Sequence, residues 1–216
     1  MSVEFTVAEA GRLKRASCTG LRPSPLFSVV VAVAVFVVGA GAAPAARAET
    51  GPIVRVRVLA NQPEVTISNA KGRSIRVVAG ASELVVAGVP SGARYETQGK
   101  GPYWIKTAKG ATSNLRGQLR VDKTSGGLSV VNEVSLEKYV VGTISAEMYA
   151  SWEPAALQAQ AVACRTYALY QMAERVGEPY DVTDDVASQR YLGIRGESES
   201  GWAALRATVG QIISYG

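Results

Sequence analysis

An α+β chain, with a small basic β-rich N-terminal module followed by a mainly helical region with short strands, is what the 216-residue sequence predicts. Three observations carry that prediction. From Ile53 to Val131 apolar and polar residues alternate in short runs, and from Asn132 the apolar spacing becomes helical. Net charge reverses at the same place: residues 49–131 hold 12 basic and 5 acidic side chains (+7), residues 132–216 hold 6 and 11 (−5). Turn formers punctuate the first stretch and become sparse in the second. With 47% hydrophobic and 19% charged residues the composition is globular, which excludes wholesale disorder. Histidine is absent, which excludes Ser-His-Asp and Cys-His triads, HExxH metal sites and any histidine general base.

The N-terminus reads as an export signal over residues 1–48. Arg12, Lys14, Arg15 and Arg22 precede an apolar run from Leu26 to Ala43, followed by Pro44 and then Ala46-Arg47-Ala48, with small residues where an export peptidase reads. Cleavage after Ala48 is expected. The alternative is an uncleaved membrane anchor over residues 26–43, since the run is just long enough to span a bilayer. Beyond Ala48 the sole cysteine is Cys164, so no intramolecular disulfide is expected there. An exported product, in the periplasm, the cell wall or outside, follows.

Residues 49–131 form the expected basic β-rich part. Val54, Val56 and Val58 alternate with Arg55 and Arg57, as in a half-buried strand. Strands are also expected at 65–67, 75–78, 84–86, 103–105, 119–121 and 128–131, separated by Lys71-Gly72, Pro90-Ser91-Gly92, Gly99-Lys100-Gly101-Pro102 and Gly126-Gly127. Ser135 then reads as the N-cap of a helix over residues 136–146, with Glu137 in its first turn. A second helix begins near Ser151 to Pro154, where proline is tolerated, and runs to about Val176 before Gly177. Short strands and loop are expected over 180–192, and a third helix over 199–208.

Without histidine, acid–base chemistry has to come from a carboxylate held near neutral pH, and Glu147 is the best candidate. It falls at the C-terminal end of the first helix, where the dipole disfavours negative charge, among Ala146, Met148, Tyr149, Ala150 and Trp152. A protonated carboxyl beside aromatic faces suits a general acid for glycosidic bonds. The alternative is a helix-end glutamate that caps or salt-bridges.

The runs Asn132-Glu133-Val134-Ser135-Leu136-Glu137-Lys138-Tyr139, Ala146-Glu147-Met148-Tyr149-Ala150-Ser151-Trp152 and Ala156-Leu157-Gln158-Ala159-Gln160-Ala161-Val162-Ala163-Cys164-Arg165-Thr166-Tyr167 closely resemble the stage II sporulation protein D (SpoIID/LytB) family. Gln189-Arg190-Tyr191-Leu192-Gly193 also fits. The resemblance implies that residues 132–216 are a helical catalytic part. It implies a peptidoglycan lytic transglycosylase acting on glycan strands, often peptide-stripped ones, and closing the muramic C6 hydroxyl onto the anomeric carbon. The family's catalytic glutamate corresponds to Glu147. A substrate hydroxyl acting as nucleophile makes the second carboxylate of ordinary glycosidases dispensable. No cofactor is then expected.

Gln160, Arg165 and Tyr167 stand within the family's helical run and are candidates for substrate binding. Arg165 suits the lactyl carboxylate of muramic acid, the alternative being an ion pair with Glu133, Glu137 or Glu147. Gln189 and Tyr191 are candidates to bond N-acetyl groups, and Tyr149 and Trp152 to line the cleft, with core packing the alternative in each case. Cys164, among alanines, reads as a small buried hydrophobe. Some family members carry a histidine- and cysteine-containing metal site before this glutamine. The stretch Asp184-Asp185-Val186-Ala187-Ser188 has neither residue type, so no zinc is expected. The family usually continues with a glycine-rich segment near the cleft, whereas this chain ends at Gly216, so the resemblance implies a catalytic part incomplete at its C-terminus. The expected partner is peptidoglycan glycan, with a cell-wall amidase as a further candidate, no nucleic acid, and membrane only through an uncleaved N-terminus. The rival reading is a non-catalytic wall-binding or amidase-enhancer protein of the same family.

Overall fold

The computed structural model describes residues 3–9, 12–18 and 51–215, with side chains for 51–214. The expected apolar run at 26–43 and the cleavage site at Ala48 lie outside the described residues. Among the described residues no helix is long and apolar enough to cross a membrane.

Among the described residues the fold is mixed α+β, with many strands and three helices. In chain order the strands are β1 (Val3–Glu9), β2 (Arg12–Cys18), β3 (Ile53–Gln62), β4 (Glu64–Asn69), β5 (Ser74–Ala79), β6 (Leu84–Val86), β7 (Val89–Pro90), β8 (Arg94–Glu96), β9 (Tyr103–Thr107), β10 (Thr112–Leu115), β11 (Gln118–Thr124) and β12 (Gly127–Ser135). There follow α1 (Leu136–Glu147), α2 (Pro154–Glu174), β13 (Val182–Thr183), a 3-10 turn at Gly193–Gly196, α3 (Glu199–Ala207) and β14 (Ile213–Tyr215). One antiparallel sheet runs β10-β9-β4-β5-β6-β7, and a second, mixed sheet runs β13-β3-β12-β11-β8. A third joins β14, β1 and β2.

The alternation read from the sequence sets the faces of these sheets. On β3 the side chains of Val54, Val56 and Val58 are buried while Arg55 and Arg57 point the other way. Arg55 turns that second face into a tie with the later part of the chain. Its Nε donates to Asp181 Oδ1 at 3.1 Å and its backbone N–H to Oδ2 at 2.7 Å. Arg57 stacks over the Tyr180 ring at 4.2 Å. Together these contacts hold β13 parallel to β3, so one sheet draws strands from both sides of position 132.

β12 is covered on both faces, with Leu128, Val130, Val131, Asn132 and Val134 all buried, and the chain passes from it directly into α1. Ser135 stands at the N-cap as expected, yet its hydroxyl makes no capping bond; the Leu136 N–H instead donates to Pro52 O at 2.9 Å. β8 and β10 were not expected from the sequence. Arg94-Tyr95-Glu96 and Thr112-Ser113-Asn114-Leu115 lack apolar alternation, and they are strands because β11 and β9 offer them paired edges.

α1 is buried almost all round, through Leu136, Tyr139, Val140, Val141, Gly142, Thr143 and Ile144. It packs against α2, α3 and the 3-10 turn, and such enclosure needs a small residue at the closest approach. A Cβ on Gly142 would lie 2.7 Å from Tyr191 Cε2 and 3.0 Å from Gly193 O. α2 faces the core with Leu157, Ala161, Cys164, Arg165 and Ala168, a stripe at helical spacing. α3 is capped by Ser198, whose Oγ accepts from the Gly201 N–H at 3.0 Å.

Candidate active site

The buried length of α1 ends where its last turn comes out to solvent. Burial falls away from Ile144 through Ser145 and Ala146, and Glu147 is exposed. A side chain at the end of a helix enclosed on all sides is placed by the core rather than by a loop. The segment that follows is held to α3: Ser145 Oγ lies 2.7 Å from Ser198 Oγ, and Ser200 Oγ donates to Ala150 O at 2.8 Å. Tyr149 (74% exposed) and Trp152 (48% exposed) stand out from this segment, ring centroids 6.2 Å apart and tilted by 51°. The expected apolar setting of Glu147 is therefore an open one, because Tyr149 and Trp152 turn outward while Met148 alone of these neighbours packs on the core.

The loop from Asp184 to Tyr191 brings the second part of the site. The Tyr191 N–H donates to Asp184 O at 3.1 Å and closes the loop. Just before it, Thr183 N–H donates to Ser188 Oγ (3.1 Å), and within it Ala187 N–H donates to Asp185 Oδ1 (3.0 Å). At its far end the Arg190 N–H donates to Glu147 Oε1 at 2.6 Å. Tyr139 OH donates to Gln189 Oε1 at 3.0 Å, which ties the same loop to α1. Tyr139, Thr143 and Glu147 recur at intervals of four and so lie along one side of that helix.

The structure brings Gln160 and Gln189 towards Cys164, on the side of α2 that faces this loop. Gln160 Nε2 lies 3.3 Å from Cys164 Sγ. Burial pushes the Cys164 thiol up to about 12; Glu147 adds to the shift, and Gln160, Gln189 and Arg165 oppose it. A thiol held that high stays protonated and is no nucleophile, so Cys164 is the buried small side chain expected.

Arg165 and Tyr191 differ from the substrate-binding candidates read in the sequence. The Arg165 side chain is 1% exposed and grips Glu137 with both arms, Nε to Oε1 at 2.8 Å and Nη2 to Oε2 at 2.7 Å. Its Nη1 donates to Gln211 O at 3.0 Å. The structure contains the ion-pair alternative: the guanidinium is used up inside the protein and no face remains for a ligand carboxylate. Tyr191 is buried, stacks on Tyr139 at 5.3 Å and donates to Asn132 Oδ1 at 2.9 Å, so it belongs to the core. Tyr167 is partly buried and packs against the same core.

Two contributors were missed in the sequence. Tyr139 is one, and its helical spacing to Glu147 was the signal that could have found it. The Arg190 N–H is the other, and a backbone donor leaves no mark on residue type. Among the described residues no three His, Cys, Asp or Glu side chains converge as a metal site requires.

At the neck of the loop Asp184 sits in a shallow depression with Arg57, Val58 and Leu59. Burial raises its carboxyl from 3.8 to about 6; its own backbone N–H and Arg57 oppose the shift and Asp185 adds to it. Between these pH values the folded chain binds more protons than the unfolded one. The contribution of Asp184 to stability is therefore full below pH 3.8 and is lost as pH rises through about 6. Asp184→Asn is expected to stabilise the protein above pH 6 by about 1–2 kcal/mol, after allowance for residual exposure. Thermal melts at pH 4.5 and 7.5 check this, and an unchanged difference between wild type and variant at the two pH values would reject it.

Residues 124–215 match the SpoIID family, described as stage II sporulation protein. The chain is also similar to an uncharacterized protein of Brachyspira hyodysenteriae, with 39% identity over 79 residues, 36% of this chain and 21% of that relative. The chain thus spans about a fifth of the length of the relative it matches. No solved structure matches the chain.

Proposed function

We propose, from the premise that residues 124–215 form a SpoIID domain and so give the chain a cell-wall context, that it is an exported lytic transglycosylase of peptidoglycan glycan strands, peptide-stripped strands included. The observation that supports this most is the placing of Glu147. It is exposed at the end of an enclosed helix, one carboxylate oxygen is fixed by the Arg190 N–H, and two outward aromatic side chains follow it.

The chemistry needs one acid. Glu147, protonated, gives its proton to the glycosidic oxygen as the bond from the muramic anomeric carbon to that oxygen breaks. The carboxylate then takes the proton of the muramic C6 hydroxyl as that oxygen bonds to the anomeric carbon. Bonds and protons balance, with no water consumed and Glu147 returned to its starting state. Tyr149 and Trp152 offer faces for sugar rings, and Gln160 and Gln189 offer amides to N-acetyl groups.

The test is a digest of peptidoglycan and of amidase-stripped glycan by the purified chain, with products identified by mass spectrometry. Products ending in 1,6-anhydromuramic acid are the expected result. Reducing-end muramic acid would mean hydrolysis by water and would reject the proposal. Retention on the glycan without products would favour the non-catalytic wall-binding or amidase-enhancer reading.

A further inference from the structure

The outer face of the β10-β9-β4-β5 part of the first sheet carries a feature that the site around Glu147 does not use. On β9 the side chains of Tyr103, Ile105 and Thr107 are buried, and Trp104 and Lys106 between them are exposed. Residues directly opposite in antiparallel strands share a face. The register puts Asn114, Trp104, Ser68 and Ser74 in one row across the four strands, and Thr112, Lys106, Thr66 and Arg76 in the next. At about 4.8 Å between strands each row spans about 14 Å, and the rows lie about 7 Å apart along the strands. Trp104 is 40% exposed, and neither its indole N–H nor the Lys106 ammonium has a partner among the described residues. Ser68 and Ser74 place hydroxyls 2.8 Å apart beside it.

We infer that this face is a second glycan-binding site, remote in sequence from Glu147, for an N-acetylated hexosamine chain that carries carboxylates. One flat aromatic within a field of hydroxyl and amide groups is not the contiguous apolar patch that docks a protein. An indole face, negative over the ring, suits the slightly positive C–H groups on a pyranose face. Ser68 and Ser74 suit the sugar's hydroxyl and N-acetyl groups. Charge complementarity selects the occupant. The four strands and their turns carry Lys71, Arg73, Arg76, Lys106 and Lys109 against Glu64 alone, and Glu64 is paired with Arg76. Lys106, about two residues along from Trp104, is set to meet a carboxylate on the sugar that Trp104 holds. The site would keep the chain on its polymer between cleavage events, and its ligand chemistry rests on the cell-wall reading above.

The experiment measures affinity in the Glu147→Gln background, so that ligand is not consumed, with the full chain, by calorimetry against peptide-stripped glycan strands. Trp104→Ala is expected to weaken binding about 10-fold, and Trp104→Phe to restore most of it. Lys106→Ala is expected to weaken it about 3-fold at low salt, with the difference vanishing at high salt and absent for neutral chito-oligosaccharides. Thermal melts confirm that each variant is folded. Unchanged affinity in Trp104→Ala would overturn the inference, and so would equal or tighter binding of a single-stranded oligothymidylate at the same face. The wild-type digest separates the two ideas. Anhydro products together with unchanged Trp104→Ala affinity would sink this site and leave the activity standing. No products together with a Trp104-dependent affinity would do the reverse.

Discussion

Arg165→Ala is expected to cost about 3–5 kcal/mol of stability, because it leaves a carboxylate enclosed without its partner. Glu137 is 12% exposed at its side chain, and Arg165 supplies both of its charge-assisted bonds. The same guanidinium also satisfies Gln211 O, which precedes β14, so its loss removes one of the ties between α2 and the end of the described chain, leaving the bond from Ile213 N–H to Thr166 Oγ1. For a domain of this size the penalty lowers Tm by roughly 6–20 °C. Replacing both partners by Met and Leu of similar volume is expected to recover most of the loss, since the cost lies in the orphaned charge rather than in the absent pair. Denaturant midpoints of the single and double variants check this. If Arg165 bound the lactyl carboxylate instead, Arg165→Ala would keep its Tm and raise KM, and that result would reject the ion pair as its role.

The order of the secondary structure was legible wherever the periodicity was clean. Val54, Val56 and Val58 announce β3, and the stripe from Leu157 to Ala168 announces α2, because each pattern is one face of one element meeting one core. α1 was read less directly. It is enclosed on nearly every side, so its sequence shows little amphipathic contrast, and the cap and the change of spacing located it instead. β8 and β10 were illegible because a paired edge rather than their own composition makes them strands. In the site, Glu147 was singled out because a helix end and a motif both point to it, and the structure places it at that helix end. Whether Arg165 and Tyr191 face a ligand or a core depends on what packs over them, and that is set by Glu137, Tyr139 and Asn132, residues 28, 52 and 59 positions away. The loop 184–191 posed the same difficulty in another form. Its key contribution to Glu147 is a backbone N–H, which any residue other than proline supplies.

Glu147→Gln is expected to lower the rate of anhydromuramic product formation by about 10²–10⁴-fold while leaving the fold intact. Glutamine keeps the length and shape of the side chain, and its Oε1 can still accept the Arg190 N–H, so the loop stays where it is. Only the transferable proton is lost. Because the side chain is exposed, stability should change by no more than about 0.5 kcal/mol. That separation between rate and stability is what distinguishes an acid–base group from the alternative, a helix-end glutamate that merely fastens the loop. In the alternative Gln, which keeps the bond, should retain activity, whereas Glu147→Ala, which removes it, should lose both activity and the loop's protection from hydrogen exchange. Measuring rate, Tm and exchange in the 184–191 loop for Gln and Ala side by side therefore assigns the role. Loss of activity in both variants, with the loop still protected in Gln, identifies the proton as the function. Full activity in Gln would instead leave the carboxylate as a latch, and the chemistry would have to be sought elsewhere in the site.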